Sequence, residues 1–166
     1  MYRTKNDLPA PTRADVIVLL NARLADSVGL MHQAKQAHWN VKGPSFIALH
    51  TLFDAVVDAA EDSMDLLAER VVQLGGTAEG TIQVATARTG LKEYPLTLAE
   101  ERGHVEALSS ALAAYGASIR LAIEQTDTRG DTDTADICTE ISRGVDQYLW
   151  FVEAHLGLPA RQETRP

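Results

Sequence analysis

Residues 46–76, FIALHTLFDAVVDAAEDSMDLLAERVVQLGG, decide the fold class of this chain. Their apolar side chains recur every three or four positions, which is the spacing of a helix that buries one face in a bundle. Gly75 and Gly76 end the pattern, as glycines after a helix commonly do. The segment is therefore predicted to be a long amphipathic helix. Its apolar stripe consists of Phe46, Leu49, Phe53, Val56, Ala60, Met64, Leu67, Val71 and Leu74.

Three other segments have the same spacing, so the chain is predicted to contain four long helices. The first covers about residues 13–40 and is separated from the second by Gly43 and Pro44, with Ser45 as the candidate N-cap. The third is predicted over about residues 97–125, and the fourth follows the polar turn TDTRGDTDT.

The connection between the second and third helices, residues 77–95, is much longer than the other two. Long structureless loops are uncommon in compact domains, whereas a connection of this length can cross a bundle from end to end. We therefore predict an all-α, ferritin-like four-helix bundle with a long crossover containing a short helix, rather than an up-and-down bundle with a loose middle loop. Residues 1–166 would form one domain, with tails at residues 1–12 and 157–166.

The composition excludes several classes of protein. The formal charge of -8 makes the chain a poor non-specific binder of nucleic acid, which needs clustered Lys and Arg. The polar N-terminus does not resemble a signal peptide, and no apolar run approaches the ~20 residues of a membrane span. Cys138 is the only cysteine, which fits a small core residue in a reducing compartment. We expect a cytoplasmic protein without a membrane partner.

Four polar residues of the second helix share one arc that points away from the apolar stripe. With His50 at zero on a helical wheel, Asp54 lies near about 40°, Asp65 near about 60° and Glu69 near about 100°. The apolar stripe is centred near about -75° on the same wheel. These side chains therefore do not face the core of their own bundle.

One metal ion cannot contact both ends of this arc within a single chain. Asp54 and Asp65 are separated by about 16 Å along the helix axis, whereas metal–ligand bonds are near ~2 Å. A second copy of the helix, antiparallel about a two-fold axis, would bring His50 and Asp54 of one chain to Asp65 and Glu69 of the other. His38, at the end of the first helix, could reach the same level. The pattern thus predicts a metal site that requires at least a dimer.

The alternative is an ordinary solvated face, because Asp58 and Glu61 also lie on the arc. Two observations favour a metal site: the arc of this helix holds no Lys or Arg, and its ends pair His with Asp and Asp with Glu one turn apart. An acidic cluster without countercharge is costly at an interface unless a cation fills it. The mixed nitrogen and oxygen ligands suit Fe, Mn or Zn better than Ca or Mg, and Fe(II) would supply redox chemistry.

Two stretches of this sequence, KQAHWNVKGPSFIALHTLFD and DLLAERVVQLGG, resemble the signature of the Dps family of mini-ferritins. The family pattern of two His, two Asp and one Glu is matched without departure by His38, His50, Asp54, Asp65 and Glu69. The stretch DTADICTEISRGVDQYLWFVEAHL resembles the last helix of the family, so the resemblance covers nearly the whole chain.

The resemblance implies a dodecameric shell with di-iron ferroxidase sites between two-fold-related subunits. It implies that Fe(II) is oxidised, preferably by hydrogen peroxide, and stored inside as ferric mineral. His38, His50 and Asp54 would come from one subunit, Asp65 and Glu69 from its neighbour, and Zn or Mn could substitute for Fe.

The resemblance also points to residues around this site. Trp39 would be its aromatic neighbour, for which packing at the interface is the simpler explanation. Asp131, Asp136 and Glu140 would line acidic pores that admit iron. Capping of the fourth helix is the alternative explanation for Asp131 or for Asp133.

DNA binding is doubtful. Family members that bind DNA often use Lys-rich N-terminal tails, whereas residues 1–13 carry three basic side chains, those of Arg3, Lys5 and Arg13. The C-terminal tail adds only Arg161 and Arg165, against Glu163. We expect little DNA binding at physiological salt, and location in the bacterial nucleoid only if DNA is bound.

Two other functions remain possible from the sequence. A di-iron site inside each bundle would need Glu on two helices and ExxH on the other two, but the chain has one ExxH, Glu101 to His104, with His104 expected at the surface. A shell that compacts DNA, with little ferroxidase activity, would keep the interface without needing five ligands at fixed spacing.

Overall fold

Five α-helices make up most of residues 1–157, the part of the chain that this computed structural model describes. Within it, no helix is long and apolar enough to cross a membrane. Of the predicted C-terminal tail, only Gly157 lies within the described residues. The helices are α1 (Ala10–Asn40), α2 (Phe46–Gln73), α3 (Ile82–Arg88), α4 (Glu101–Thr128) and α5 (Thr132–Glu153), followed by a 3-10 turn, Ala154–Leu156.

The helices pair as two hairpins, α1 with α2 and α4 with α5, and the hairpins join through α1 against α4 and α2 against α5. The crossover that connects them contains the short helix α3, which packs on α1. The four-helix bundle with a long crossover and a short crossover helix, predicted from the sequence, is therefore confirmed. Its core is apolar along most of the predicted α2 stripe, but Phe46, the first residue of α2, is 38% exposed.

The boundaries of two helices differ from the prediction. Helix α1 begins at Ala10, three residues earlier than predicted, with Pro11 in its first turn, where the missing N–H of proline has no intrahelical partner to lose. Helix α4 begins at Glu101 and not near residue 97, because residues 96 and 97 form a turn that lets Leu98 pack against the core.

The C-terminal end of α2 is closed by its two glycines and by the N-terminal segment. Gly76 donates its N–H to the Val71 carbonyl and Gly75 to that of Val72, which is a Schellman motif, with Gly75 at φ 87°. The N–H of Tyr2 donates to the Gly75 carbonyl over 2.6 Å. A Cβ on Gly75 would meet the Tyr2 carbonyl oxygen at 2.7 Å, so glycine permits this docking.

The crossover is fixed to α1 by hydrogen bonds to buried side chains. Asp26, only 2% exposed, accepts from the N–H of Gly90 at 2.7 Å and from the Thr89 hydroxyl at 3.1 Å. Asn21 donates to the Thr77 carbonyl and accepts from the N–H of Glu79. These contacts hold the crossover against α1, so the crossover does not cover the polar arc of α2 that carries His50, Asp54, Asp65 and Glu69.

Candidate metal centre

His38 and His50 hold each other in place across the turn between α1 and α2. Nδ1 of His38 lies 2.8 Å from the His50 carbonyl oxygen, and Nδ1 of His50 lies 2.9 Å from the His38 carbonyl oxygen. The two rings stack, with centroids 3.6 Å apart. The short turn around Gly43, at φ 150°, makes this approach possible, since that backbone conformation favours glycine.

This reciprocal arrangement sets the tautomer of both imidazoles. A carbonyl oxygen only accepts hydrogen bonds, so each Nδ1 must carry the hydrogen that it donates. Each Nε2 then keeps a free lone pair, which is the form in which histidine binds a metal ion. Carbonyl groups that orient imidazoles in this way are typical of the surroundings of metal ligands in proteins.

Asp54 lies beside the two histidines and is already paired with a cation. Its Oδ1 is 3.7 Å from Nδ1 of His38 and 2.5 Å from the ammonium nitrogen of Lys35, on α1. The hydrogen bond from Lys35 lowers the pKa of Asp54 below its ordinary value, against a smaller opposing effect of desolvation. We call His38, His50 and Asp54 the near half-site.

The other two predicted ligands, Asp65 and Glu69, form the far half-site, and both are exposed. The α-helical rise places Asp65 about 16 Å from Asp54 along α2, so the two half-sites of one chain cannot share an ion. Among the described residues, no group of three or more His, Cys, Asp or Glu side chains is placed to hold a metal ion. The single chain places His38, His50 and Asp54 side by side without arranging them as a metal site, and it leaves Asp65 and Glu69 apart from them.

Exposed apolar side chains lie near both half-sites. Trp39, next to His38, is 65% exposed and Ile47 is 71% exposed, while Val72, near Glu69, is 57% exposed. On the helical wheel, Ile47 and Val72 lie at about 60° and about 40°, within the ligand arc. Large apolar side chains on the face that carries the acids are typical of a surface covered by another protein.

The ExxH pair belongs to the structure of the bundle end and not to an interior metal site. Glu101 accepts from the Ser45 N–H at 3.0 Å, so it supports the start of α2, where Ser45 itself makes no side-chain cap. The expectation that His104 lies at the surface is wrong, because it is 1% exposed and its Nδ1 is 2.7 Å from the Tyr94 hydroxyl. Burial lowers the pKa of His104 and raises that of Tyr94.

The predicted pore residues lie in two different environments. Asp131 is 2% exposed, caps α5 by accepting from the Thr134 N–H, and pairs with Arg70 at 2.7 Å. The capping explanation therefore describes Asp131, whose carboxylate is already engaged. Asp136 and Glu140 are exposed on α5, and they are the residues we retain as pore candidates.

Comparisons with known proteins agree with this architecture. The model of the ferritin-like domain matches residues 17–161. Over 155 residues the chain is 46% identical to the DNA protection during starvation protein of Agrobacterium fabrum. This match covers 93% of this chain and 96% of that relative. The chain belongs to the Dps family of ferritin-like proteins.

Solved Dps structures share the fold over nearly their whole length. Dps from Microbacterium arborescens, in a high iron form, is 34% identical with a TM-score of 0.83, and the match covers 93% of this chain and 99% of that one. Dps from Mycobacterium smegmatis is 27% identical with a TM-score of 0.91, and the match covers 99% of both chains. The resemblance stated from the sequence is therefore confirmed.

Sequence reasoning missed Lys35. The prediction considered only the arc of α2, which holds no Lys or Arg, but the structure supplies a cation from α1. One signal in the sequence could have found it: Lys35 is three residues before His38, so both lie on the same face of α1. A residue one turn from a ligand on one helix is therefore a candidate for contact with the ligands on the helix packed against it.

Proposed function

We propose that this protein is an iron-storing mini-ferritin whose ferroxidase site forms only between two subunits. Membership of the Dps family supports iron storage and DNA protection in general. The observation that carries the finer proposal is the division of the ligands between two places: a partly buried near half-site with two oriented imidazoles and one carboxylate, and a far half-site with two exposed carboxylates.

Two-fold symmetry would complete both sites at once. If two copies of α2 pack antiparallel, the near half-site of each meets the far half-site of the other, giving two equivalent sites with five ligands each. Asp54 and Glu69 would be among the carboxylates that hold iron at each site. The exposed apolar residues on the same arc would be buried in this contact, which favours association. Twelve subunits would form a hollow shell, with Asp136 and Glu140 at the pores through which iron enters.

The ligand set suits the oxidation of Fe(II). Carboxylates are hard anionic ligands that stabilise Fe(III) more than Fe(II), so they make the loss of an electron easier. Two Fe(II) ions would each give one electron to a single hydrogen peroxide, which takes up two protons and leaves as two waters. Because both electrons arrive together, no hydroxyl radical is released. The same reaction would therefore supply iron for storage and remove peroxide.

A DNA-compacting shell with little ferroxidase activity is the second candidate, because the A. fabrum relative is named for DNA protection. The N-terminal segment argues against tight DNA binding here. Tyr2 is bonded to Gly75, and the Arg13 guanidinium donates to the carbonyls of Leu8 and Leu74. A segment docked in this way offers few free cations to phosphate groups.

The test is an anaerobic Fe(II) titration followed by a stoichiometric pulse of peroxide, with the ferric absorbance recorded. Asp65→Ala should slow oxidation on the order of a hundredfold. Loss of a residue that only hydrogen-bonds to a metal ligand already lowers metal affinity about 10- to 100-fold, and Asp65 would be a ligand itself. Asp58→Ala is the matched control, because it removes an exposed acid of the same arc outside the ligand set. Equal rates in wild type and Asp65→Ala would contradict the proposal and favour the DNA-associated shell.

A further inference from the structure

The contact between Lys35 and Asp54 lies at the one carboxylate of the near half-site. The ammonium nitrogen is 2.5 Å from Oδ1 of Asp54, and both side chains are partly exposed, at 33% and 46%. Lys35 reaches Asp54 from α1, three residues before His38. A positive charge therefore already lies against one oxygen of this carboxylate in the metal-free chain.

A metal ion and this ammonium cannot both remain on Asp54 without strong repulsion. A divalent cation bound to Oδ1 would stand within about 5 Å of the ammonium, a distance at which like charges repel even near the protein surface. Lys35 can relieve the repulsion, because its flexible four-carbon stem allows the ammonium to move into solvent while it stays protonated.

The second ion pair near α2 shows the opposite design. Arg70 and Asp131 are both nearly inaccessible, and the Arg70 guanidinium also donates to the Thr134 hydroxyl at 2.9 Å. An arginine held by several bonds in a buried position suits a permanent link between helices. A lysine with a single bond at an exposed carboxylate suits a contact that opens.

We propose that Lys35 is a placeholder cation: it neutralises Asp54 in the metal-free protein and must leave when a metal ion binds. The inference rests on the proposed function of the near half-site and extends it by assigning a residue outside the ligand set. Lys35 thereby weakens binding of the first metal ion. It also allows the near half-site to exist without an unbalanced negative charge before iron arrives.

The test measures metal affinity directly, with zinc as a redox-inert probe. Zn²⁺ is titrated calorimetrically into metal-free, full-length, assembled protein. Lys35→Gln and Lys35→Met should bind zinc about fivefold more tightly than wild type, the size expected for removing a partly exposed ion pair. Lys35→Arg should bind no more tightly than wild type, since its guanidinium holds the carboxylate in a more persistent geometry. Lys42→Gln, at an exposed lysine of the α1–α2 turn, is the control and should leave the affinity unchanged.

Each outcome bears on one statement. Tighter binding by the two neutral variants, together with no gain in Lys35→Arg, supports the placeholder. Wild-type or weaker affinity in both neutral variants would overturn it, while the proposed function would stand if His50→Ala still weakened zinc binding. If His50→Ala and wild type bound zinc equally, the near half-site would not be a metal site and both proposals would fail. Lys35→Met keeps the aliphatic stem, so it remains informative if Lys35→Gln does not assemble.

Discussion

The two half-sites on α2 differ in how far the single chain prepares them. In the near half-site, His38 and His50 are fixed by each other's carbonyls and Asp54 is paired with Lys35. In the far half-site, Asp65 and Glu69 are exposed carboxylates outside the described hydrogen bonds and ion pairs. The near half-site is therefore part of the fold of the α1–α2 hairpin, whereas the far half-site lies on that fold without supporting it.

Because of this difference, the near half-site should affect both the stability of the protein and its metal binding, whereas the far half-site should affect metal binding alone. A side chain whose bonds hold the turn contributes to the free energy of unfolding, and a side chain that only faces solvent does not. If both half-sites serve one metal site, changes in either should reduce metal binding. Changes in the near half-site alone should also destabilise the protein.

The largest effect is expected in the far half-site. Glu69→Ala should weaken zinc binding on the order of a hundredfold, because it removes a ligand, and should change the free energy of unfolding by less than about 0.5 kcal/mol, because the side chain is exposed. Calorimetric titration and urea unfolding of the metal-free protein measure the two quantities. A clear loss of stability in Glu69→Ala would show that the far half-site also supports the fold.

The near half-site should show both effects. His50→Ala should weaken zinc binding and also lower the free energy of unfolding by about 1.5 kcal/mol, since it removes the ring stacking and the hydrogen bond from its Nδ1 to the His38 carbonyl, worth about 1 kcal/mol. Urea unfolding of metal-free protein at one fixed concentration measures the loss. The control is His32→Ala, at an exposed histidine of α1. Equal stability of His50→Ala and His32→Ala would mean that the reciprocal bonds do not hold the turn.

A smaller effect, on pH, separates the half-sites from the buried His104. Burial lowers the pKa of His104 in the folded protein, and its Nε2 is buried without a partner in the described residues. The unfolded chain therefore binds this proton more readily, and stability should fall as pH drops below about 6.5, toward the lowered folded pKa. His104→Gln should flatten this fall between pH 7.5 and pH 5.5 in thermal unfolding of metal-free protein. His32→Gln should not, and an unchanged slope in His104→Gln would assign the acid sensitivity to other groups.

The smallest effect is expected for DNA. Because the N-terminal segment is docked at the end of α2, a gel shift at physiological salt should show no complex. Tight complexes of the wild type at low salt that dissociate as salt rises would contradict this expectation and restore the DNA-associated alternative.

The helices and the polar arc of α2 followed from the sequence because both depend on local periodicity, and the crossover followed from the length of the connection between the second and third helices. The apolar stripe of α2 sets which side faces the core, and its complement contains His50, Asp54, Asp65 and Glu69. Gly75 and Gly76 end α2 as expected, with the hydrogen bonds of a Schellman motif.

Contacts between helices could not be read in the same way. The pairing of Lys35 with Asp54, the burial of His104 against Tyr94 and the ion pair of Arg70 with Asp131 all depend on how elements distant in sequence pack together. Local spacing specifies which face a residue occupies and does not specify which side chain stands opposite. His104 is an example: a polar residue near the start of a helix is expected to be exposed, but Tyr94 of the crossover packs against it and buries it.

The central claim, that one site is shared by two subunits, is tested most directly by mixing two inactive variants. One subunit carries His50→Ala with Asp54→Ala, the other Asp65→Ala with Glu69→Ala, and the two are co-expressed in equal amounts. In a mixed dimer one site combines both sets of changes while the other is fully wild type, so random pairing should restore roughly a quarter of the wild-type peroxide-dependent iron oxidation. No recovery in assembled mixed shells, beyond the rate of each variant alone, would contradict a site built between subunits.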